Sequence, residues 1–267
     1  MSKRRVDKST LFGTFLAVAG IVGGLVLDGG SVRQILQPSA ALIVLAGTIG
    51  VILIQFPMKT VKDTIKVLPT IFYERSSKAT DTLEELVSYC TQARRYGILR
   101  LDSQLADIED TFLRKALTFA VDGAHPQVMR ENMELELDLL DERELSAVKL
   151  LEASGGFAPT LGIMGAVLGL IQVMQRMDNV TEIGRGIAVA FVSTLYGLGF
   201  ANLLLLPLAG KLRIRVRERQ LAREMVLEAV LAIMDGMGPR ALRERLECYL
   251  AEEAMKVEVV ARPELAA

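Results

Sequence analysis

The sequence predicts an all-α integral membrane protein with four transmembrane helices, a helical cytoplasmic insertion between the second and third, and a helical cytoplasmic tail. Four apolar segments contain no charged residue, at 10–27, 38–56, 153–175 and 186–210. Each reaches or approaches the roughly 20 residues that a helix needs to cross the hydrocarbon core. Charged residues make up 24% of the 267 residues, yet they are concentrated between and after these segments. The predicted domains are a first transmembrane hairpin (1–56), the insertion (57–152), a second hairpin (153–210) and the tail (211–267).

The basic residues at the segment edges predict the orientation. They precede the first segment, follow the second and follow the fourth: Lys3, Arg4, Arg5 and Lys8; Lys59, Lys62 and Lys66; Lys211, Arg213, Arg215, Arg217 and Arg219. The short loops at 28–37 and 176–185 lack such an excess. Because Lys and Arg mark the cytoplasmic side, we expect both termini and the insertion in the cytoplasm. The basic N-terminus imitates a signal peptide, but a second span follows closely and we expect no cleavage.

The insertion and the tail show the apolar spacing of helices. The pattern predicts helices over 79–96 and 100–121, the first ended by Gly97. Pro126 suits the first turn of a third helix that runs straight into the third span. The tail at 212–234 is amphipathic with a basic start, which favours the anionic inner leaflet. A break at 236–239 precedes a helix over 240–255, and we expect disorder in the last dozen residues.

Small and polar residues distinguish the spans. The third span carries Gly155, Gly156, Gly162, Gly165 and Gly169, and the first carries Gly20 and Gly24. Such glycines fit either helix packing within one subunit or a tight wall around a partner helix. The polar uncharged residues lie mostly in the second hairpin: Thr14, Thr48, Ser154, Thr160, Ser193, Thr194, Tyr196 and Asn202. Each hydroxyl alone fits a bond to its own helix, while Thr194 and Asn202 share a face that can line an aqueous path. The prolines at 159 and 207 fit a hinge or a bend.

Several function classes are excluded by what the sequence lacks. Cys90 and Cys248 are far apart and His125 is the only histidine, so we expect reduced thiols and no metal site. No phosphate-binding loop, nucleophile elbow or carboxylate pair is present, and we expect no enzyme and no cofactor. A net charge of -1 suggests no nucleic-acid partner. The spans contain no ionisable residue, which argues against a self-contained pump, so a charged ion carrier must come from another chain.

Two stretches resemble a known family. Residues 158–170 are similar to the third span of the MotA/PomA family of flagellar motor stator subunits. Residues 188–197 are similar to the fourth span of that family, which shares the motifs Thr194-Leu195-Tyr196-Gly197, Ala201-Asn202 and Pro207. The wider group includes TolQ and ExbB proteins, which have three spans and an outside N-terminus. Four spans favour MotA, and the resemblance covers nearly all of the chain.

The resemblance implies an ion-driven motor of the bacterial inner membrane that rotates the flagellum and serves chemotaxis. Five copies would surround two copies of a single-span, peptidoglycan-binding, MotB-like partner that supplies the membrane aspartate. The complex would form a proton channel, and ion passage would rotate the homopentamer while the insertion pushes on a FliG-like rotor protein.

The resemblance also assigns residues. It implies that Pro159 and Pro207 couple ion flow to conformational change and that the Thr194 hydroxyl lies beside the partner aspartate. The ion path and coupling set comprises Pro159, Thr160, Ala166, Ser193, Thr194, Tyr196 and Pro207. Sodium-type relatives tend to carry a threonine at the position of Ala166, so the implied ion is H+ rather than Na+. Arg94 resembles a rotor-contacting arginine, and Asp102 stands where the family usually has a glutamate with a longer arm.

Two other functions fit the same pattern. One is a TolQ/ExbB-like energiser of an outer-membrane process, which should lack the first span. The other is a non-conducting membrane scaffold whose cytoplasmic domain docks partners.

Overall fold

The computed structural model describes residues 5–6, 8–74 and 79–249, and these are helical except for short loops and one strand pairing. In chain order the α-helices are α1 Lys8–Leu27, α2 Val32–Ile35, α3 Pro38–Ala41, α4 Gly47–Gln55, α5 Met58–Ile71, α6 Ala79–Tyr96, α7 Thr111–Val121, α8 Pro126–Gln175, α9 Val180–Phe200, α10 Leu206–Met234 and α11 at 239–249. Two π-helical segments occur at Leu42–Ala46 and Ala201–Leu205, and a 3-10 helix at Ile98–Asp107. The strands β1 (Arg5–Val6) and β2 (Tyr73–Glu74) pair antiparallel over two residues each.

The chain forms two compact units. The span unit contains the described residues of Arg4–Glu74 and Ser146–Leu212, and the insertion unit contains those of Arg75–Leu145 and Arg213–Ala267. The long helices α8 and α10 therefore contribute to both units. Helix α5 groups with the span unit, although the sequence places residue 57 at the start of the insertion. The tail groups with the insertion, because α10 and α11 share its apolar core.

The span unit exposes large apolar side chains. Among the described residues, three helical stretches are long and apolar enough to cross a membrane, at Pro38–Gln55, Pro126–Gln175 and Val180–Met234. The apolar stretch of α1, Phe12–Leu27, is shorter. Leu27 and Ile54 are 89% and 86% exposed. Faces of this kind are normally covered by lipid or by another protein chain.

The π-helical segments lie close to prolines. One follows Pro38 by four residues, and the other ends two residues before Pro207. Pro207 has no N–H to donate to the carbonyl of Leu203, which lies inside the second segment, and the wider π turn accommodates this gap. The helix consequently continues from Val180 to Met234 without a loop.

One predicted helix of the insertion is wrong. The sequence pattern predicts a single helix over 100–121, but the structure has the 3-10 helix Ile98–Asp107 and then α7. The Asp110 carboxylate accepts hydrogen bonds from the backbone N–H groups of Phe112 (2.8 Å) and Leu113 (3.0 Å), so it starts a new helix. The other predictions for this region are confirmed: α6 covers 79–96, and α8 runs unbroken from Pro126 into the third apolar segment. Gly97, with a φ of 83°, separates α6 from the 3-10 helix.

The core of the insertion unit is large and apolar. Its largest fully buried side chains come from all of its helices: Leu86, Leu101, Leu113, Leu117, Met129, Met133, Met225, Leu242 and Leu246. Because α10 buries its apolar residues here, the predicted contact of the tail with the inner leaflet applies only to its basic start. Helix α11 is present at 239–249, whereas residues 250–255 of that predicted helix and the predicted disordered end lie outside the described residues.

Candidate functional site

The seam between α8 and α9 is built on backbone contact. A Cβ added at Gly162 would lie 2.9 Å from the carbonyl oxygen of Ser193, and one at Gly169 would lie 2.7 Å from the carbonyl oxygen of Gly186. Only glycine permits this approach, since real Cβ atoms essentially never come so close to another atom. Gly162 and Gly169 therefore serve helix packing within one subunit, rather than a wall around a partner helix, which was the other role that the sequence left open.

The glycines of α1 are placed differently. A Cβ added at Gly20 or Gly24 would have no atom within 4 Å, and the same is true of Gly156 on α8. Their open surface leaves room for the close approach of another helix.

Pro159 and Thr194 lie at the α8–α9 seam. A Cβ added at Gly197 would be 3.2 Å from the Cα of Pro159, and one added at Gly162 would be 3.3 Å from the Cα of Thr194. The structure thus brings these two predicted residues to neighbouring positions on facing helices. Pro207 is exposed, and the preceding Leu206 packs on Gly155, about one helical turn before Pro159.

The polar side chains near the seam bond to their own helices. Thr194 and Asn202 each donate to the carbonyl four residues earlier, at 3.2 and 3.0 Å, and Thr160 donates to the carbonyl three residues earlier, at 2.7 Å. Thr160 and Asn202 are exposed and Thr194 is half-buried. The hydroxyls of Thr160 and Thr194 donate their protons to carbonyls of their own helices, but their oxygens keep lone pairs. These lone pairs can accept a hydrogen bond from a protonated group of another chain. Ala166, also half-buried, offers no oxygen.

Two other predicted residues have structural surroundings. Ser193 is fully buried against Gly165, where an added Cβ would meet its Oγ at 2.6 Å, and its hydroxyl has no hydrogen-bond partner in the described part of the chain. The Tyr196 hydroxyl donates to the carbonyl of Ile35 at 2.7 Å and accepts from the N–H of Gln37 at 3.4 Å. Tyr196 therefore holds the short loop before α3 against α9. The sequence gives no signal for this contact, because its partner lies 161 residues away.

Arg94 and Asp102 are both exposed and belong to the insertion unit. They lie on either side of Gly97, on α6 and on the 3-10 helix. Gln104 Nε2 donates to Gln92 Oε1 at 2.5 Å and joins these two elements. Arg94 and Asp102 therefore lie on a turn that this hydrogen bond holds in place, and not on a free loop; we call residues 94–102 the braced turn.

The loop after α10 positions Arg94. A Cβ added at Gly238 would lie 2.5 Å from Nη1 of Arg94, so the guanidinium lies directly on this loop. One turn earlier on α6, Cys90 Sγ donates to the carbonyl of Met237 at 3.3 Å. Burial raises the pKa of the Cys90 thiol, which keeps it a neutral donor. The sequence identifies residues 236–239 only as a helix break and misses this contact.

An ion cluster joins α8 to α10 inside the insertion unit. Arg223 Nη2 lies 2.7 Å from Glu144 Oε1, and Arg219 Nε lies 3.3 Å from Glu144 Oε2. Asp141 is buried, and its Oδ1 is 3.9 Å from Arg223 Nη1, beyond hydrogen-bond reach. Burial raises the pKa of Asp141, and the Arg223 charge opposes that shift. This cluster was not predicted, although the spacings of its acidic and basic residues, three and four positions on two predicted helices, are a visible signal in the sequence.

No group of three or more His, Cys, Asp or Glu side chains among the described residues could hold a metal ion. Both cysteines are free, Cys90 buried and Cys248 exposed.

Apolar helical segments that carry no charged residue and pack through close glycine contacts are typical of a subunit of a membrane channel. The chain matches the MotA/TolQ/ExbB proton channel family over residues 104–225 and the Motility protein A N-terminal family over residues 11–97. It is 35% identical to Motility protein A of Bacillus subtilis over 94% of each chain. It is 32% identical to Chemotaxis protein PomA of Vibrio alginolyticus over 95% of this chain and 99% of that one.

Solved structures agree with these relatives. The C. jejuni MotAB structure superposes with a TM-score of 0.86 at 30% identity, covering 91% of this chain and 95% of that one. The flagellar MotAB stator complex of Bacillus subtilis gives 0.83 at 34% identity, covering 93% and 99%. The chain therefore belongs to the MotA family of flagellar motor stator subunits. The N-terminal match favours this branch over TolQ and ExbB, and the family is one of channel subunits rather than enzymes.

Proposed function

We propose that the chain spans the bacterial inner membrane four times, with both termini and the insertion unit in the cytoplasm. Helix α1 is about 30 Å long at 1.5 Å per residue, and its apolar stretch Phe12–Leu27 covers about 24 Å of the roughly 30 Å hydrocarbon core, with Lys8 at the headgroup level. The clusters of Lys and Arg at the segment edges support the orientation.

We also propose that the chain forms the wall of a proton channel. The main support is that the four apolar segments contain no charged residue, so a proton relay needs an ionisable group from a partner chain. The two solved relatives are MotAB structures, which supports a single-span MotB-like partner that brings an aspartate. Five copies surround two partner helices, and Thr194 receives the protonated aspartate through its free lone pair.

Torque leaves the complex through the insertion unit. Arg94 and Asp102 are exposed charges on a braced turn, a suitable contact for a FliG-like rotor protein. One charge that crosses a potential of 100 mV releases about 2.3 kcal/mol, enough to drive a conformational step.

The proposal is tested by co-expression with a MotB-like partner and reconstitution into liposomes. A pH-sensitive dye inside the liposomes reports proton entry under an imposed potential. Thr194→Ala should reduce the initial rate of proton entry at least ~10-fold, because a lost hydrogen bond to a charged or protonated group costs about 1.5–3 kcal/mol. Thr48→Ala is the matched control, since Thr48 makes the same bond to its own helix, at 2.6 Å to Val44.

Ion choice is tested in the same liposomes. Replacement of external Na+ by K+ at a constant pH gradient should leave the flux unchanged. Flux that stops without Na+ contradicts a proton channel, and equal flux in the Thr194→Ala and Thr48→Ala variants contradicts the role of Thr194. Particle images of the complex give its stoichiometry.

A further inference from the structure

Helix α5 lies outside the ion path and outside the rotor-contacting turn. It begins at Met58, three residues after the apolar stretch that ends at Gln55, and it belongs to the span unit. Pro57 immediately precedes it and sets the change of direction between the two helices. The start of α5 is therefore tied to the end of a membrane-spanning helix.

The surface of α5 has three distinct sectors. Thr64 and Ile71 are buried within the unit. An exposed apolar line follows at spacings of seven and four residues, formed by Met58, Ile65 and Pro69. An exposed basic line lies directly beside it at spacings of three and four residues, formed by Lys59, Lys62 and Lys66. Met58 and Ile65 are 54% and 60% exposed, so the apolar line is not covered by the chain itself.

The three ammonium groups are available to a partner. Among the described residues, neither Lys59 nor Lys62 has an ion-pair partner, and Lys66 is 3.9 Å from Asp63 at the limit of an ion pair. The Lys66 side chain is 77% exposed. An exposed pair of this length contributes little, so Lys66 can turn to another anion.

An apolar line flanked by lysines has the chemistry of a phospholipid surface. Apolar side chains of an interfacial helix enter the boundary between headgroups and acyl chains, while lysines extend their ammonium groups to the phosphates. Attachment to the end of a span places such a helix at headgroup level, where an anionic leaflet attracts each cation.

We propose that the exposed face of α5 binds anionic phospholipid headgroups and anchors the first hairpin at the membrane surface. The bound lipid is an anionic phospholipid such as phosphatidylglycerol, with its phosphate on Lys59, Lys62 and Lys66. The inference rests on the membrane placement proposed above, but it does not depend on ion conduction or on torque.

The test uses the full chain purified in detergent with its co-expressed partner and titrated with phosphatidylglycerol. Native mass spectrometry counts the lipid molecules that remain bound. A triple variant, Lys59→Gln, Lys62→Gln and Lys66→Gln, should bind on the order of 100-fold more weakly, at roughly five-fold per lysine. Ile65→Ser should also weaken binding, because it interrupts the apolar line, and inorganic phosphate should not compete.

The matched control removes three exposed cations from the insertion unit by the changes Arg95→Gln, Arg100→Gln and Arg114→Gln. It alters the net charge equally and should bind lipid like the unmodified chain. Unchanged lipid binding in the lysine variant overturns the proposal, and so does an equal loss in the control. If the lysine variant instead changes the number of chains in the complex, the face contacts a second copy and the lipid assignment is wrong.

Discussion

Gly197→Ala is the sharpest perturbation of the α8–α9 seam. The added Cβ would lie 2.6 Å from the carbonyl oxygen of Ala158, 3.1 Å from the Cα of Gly162 and 3.2 Å from the Cα of Pro159. All three atoms belong to the backbone, so no side chain can rotate away and the helices must separate. Relief to an ordinary contact of about 3.4 Å requires roughly 0.8 Å of movement. Overpacking of this kind costs about 1–3 kcal/mol, and we expect the free energy of unfolding to fall by that amount.

The assay heats the detergent-purified chain and follows helix content by circular dichroism at 222 nm. A loss of 1–3 kcal/mol should lower the midpoint by roughly 2–12 °C for a chain of this size. Proton flux with the partner should fall as well, because the separation displaces Pro159 from α9.

Gly199→Ala is the matched control, two residues further along the same helix. A Cβ there has no atom within 4 Å, and alanine is the better helix former by about 1 kcal/mol, so the midpoint should stay or rise. Equal midpoints for the Gly197→Ala and Gly199→Ala variants would refute the backbone contact and with it the seam.

Four further predictions concern other contacts. Arg223→Met should destabilise the chain by about 3–5 kcal/mol in urea unfolding, because the buried Asp141 loses its nearest cation and Glu144 keeps only Arg219; a change below 1 kcal/mol would contradict this. Since burial raises the pKa of Asp141, its contribution to stability is complete below the unfolded pKa and is lost as pH rises through the folded value. The unfolding free energy of the unmodified chain relative to Asp141→Asn should therefore fall as pH rises above 3.8, and a flat difference would disprove the shift. Gly238→Val should displace Arg94 and reduce motor torque in a tethered-cell assay without lowering the unfolding midpoint; unchanged torque would remove the positioning role. Tyr196→Phe should cost about 0.5–1.5 kcal/mol in thermal unfolding, and a neutral result would mean that its hydroxyl bond is not formed.

Much of the fold follows from local sequence signals. An isolated apolar segment of about 20 residues is too long for a membrane-spanning strand and satisfies its backbone in lipid as a helix, so the helices over all four apolar segments were predictable. The break before α7 was missed because its signal is one side chain: Asp110 fits equally well on the polar face of a continuous helix and at the start of a new one. A side chain that caps the start of a new helix competes with continuation of the preceding helix, and the spacing of apolar residues alone does not decide between the two.

The candidate site is only partly visible in the sequence. The glycines of α8 indicate that another helix packs closely against it, but the sequence does not say which one. The structure identifies this helix as α9, through the contacts of Gly186 and Ser193. The contact of Gly238 with Arg94 joins residues far apart in the chain, and long-range pairs of this kind leave no periodic pattern.

Hydroxyls that bond to their own helices have a consequence for the energy supply of the cell. Thr194 and Thr160 donate their protons to carbonyls of α9 and α8, and the apolar segments carry no charge. The apolar segments of a chain inserted before its partner therefore offer no carboxylate to carry a proton. Newly made subunits should leave the transmembrane potential intact, and synthesis of this chain in excess of its partner should not slow growth.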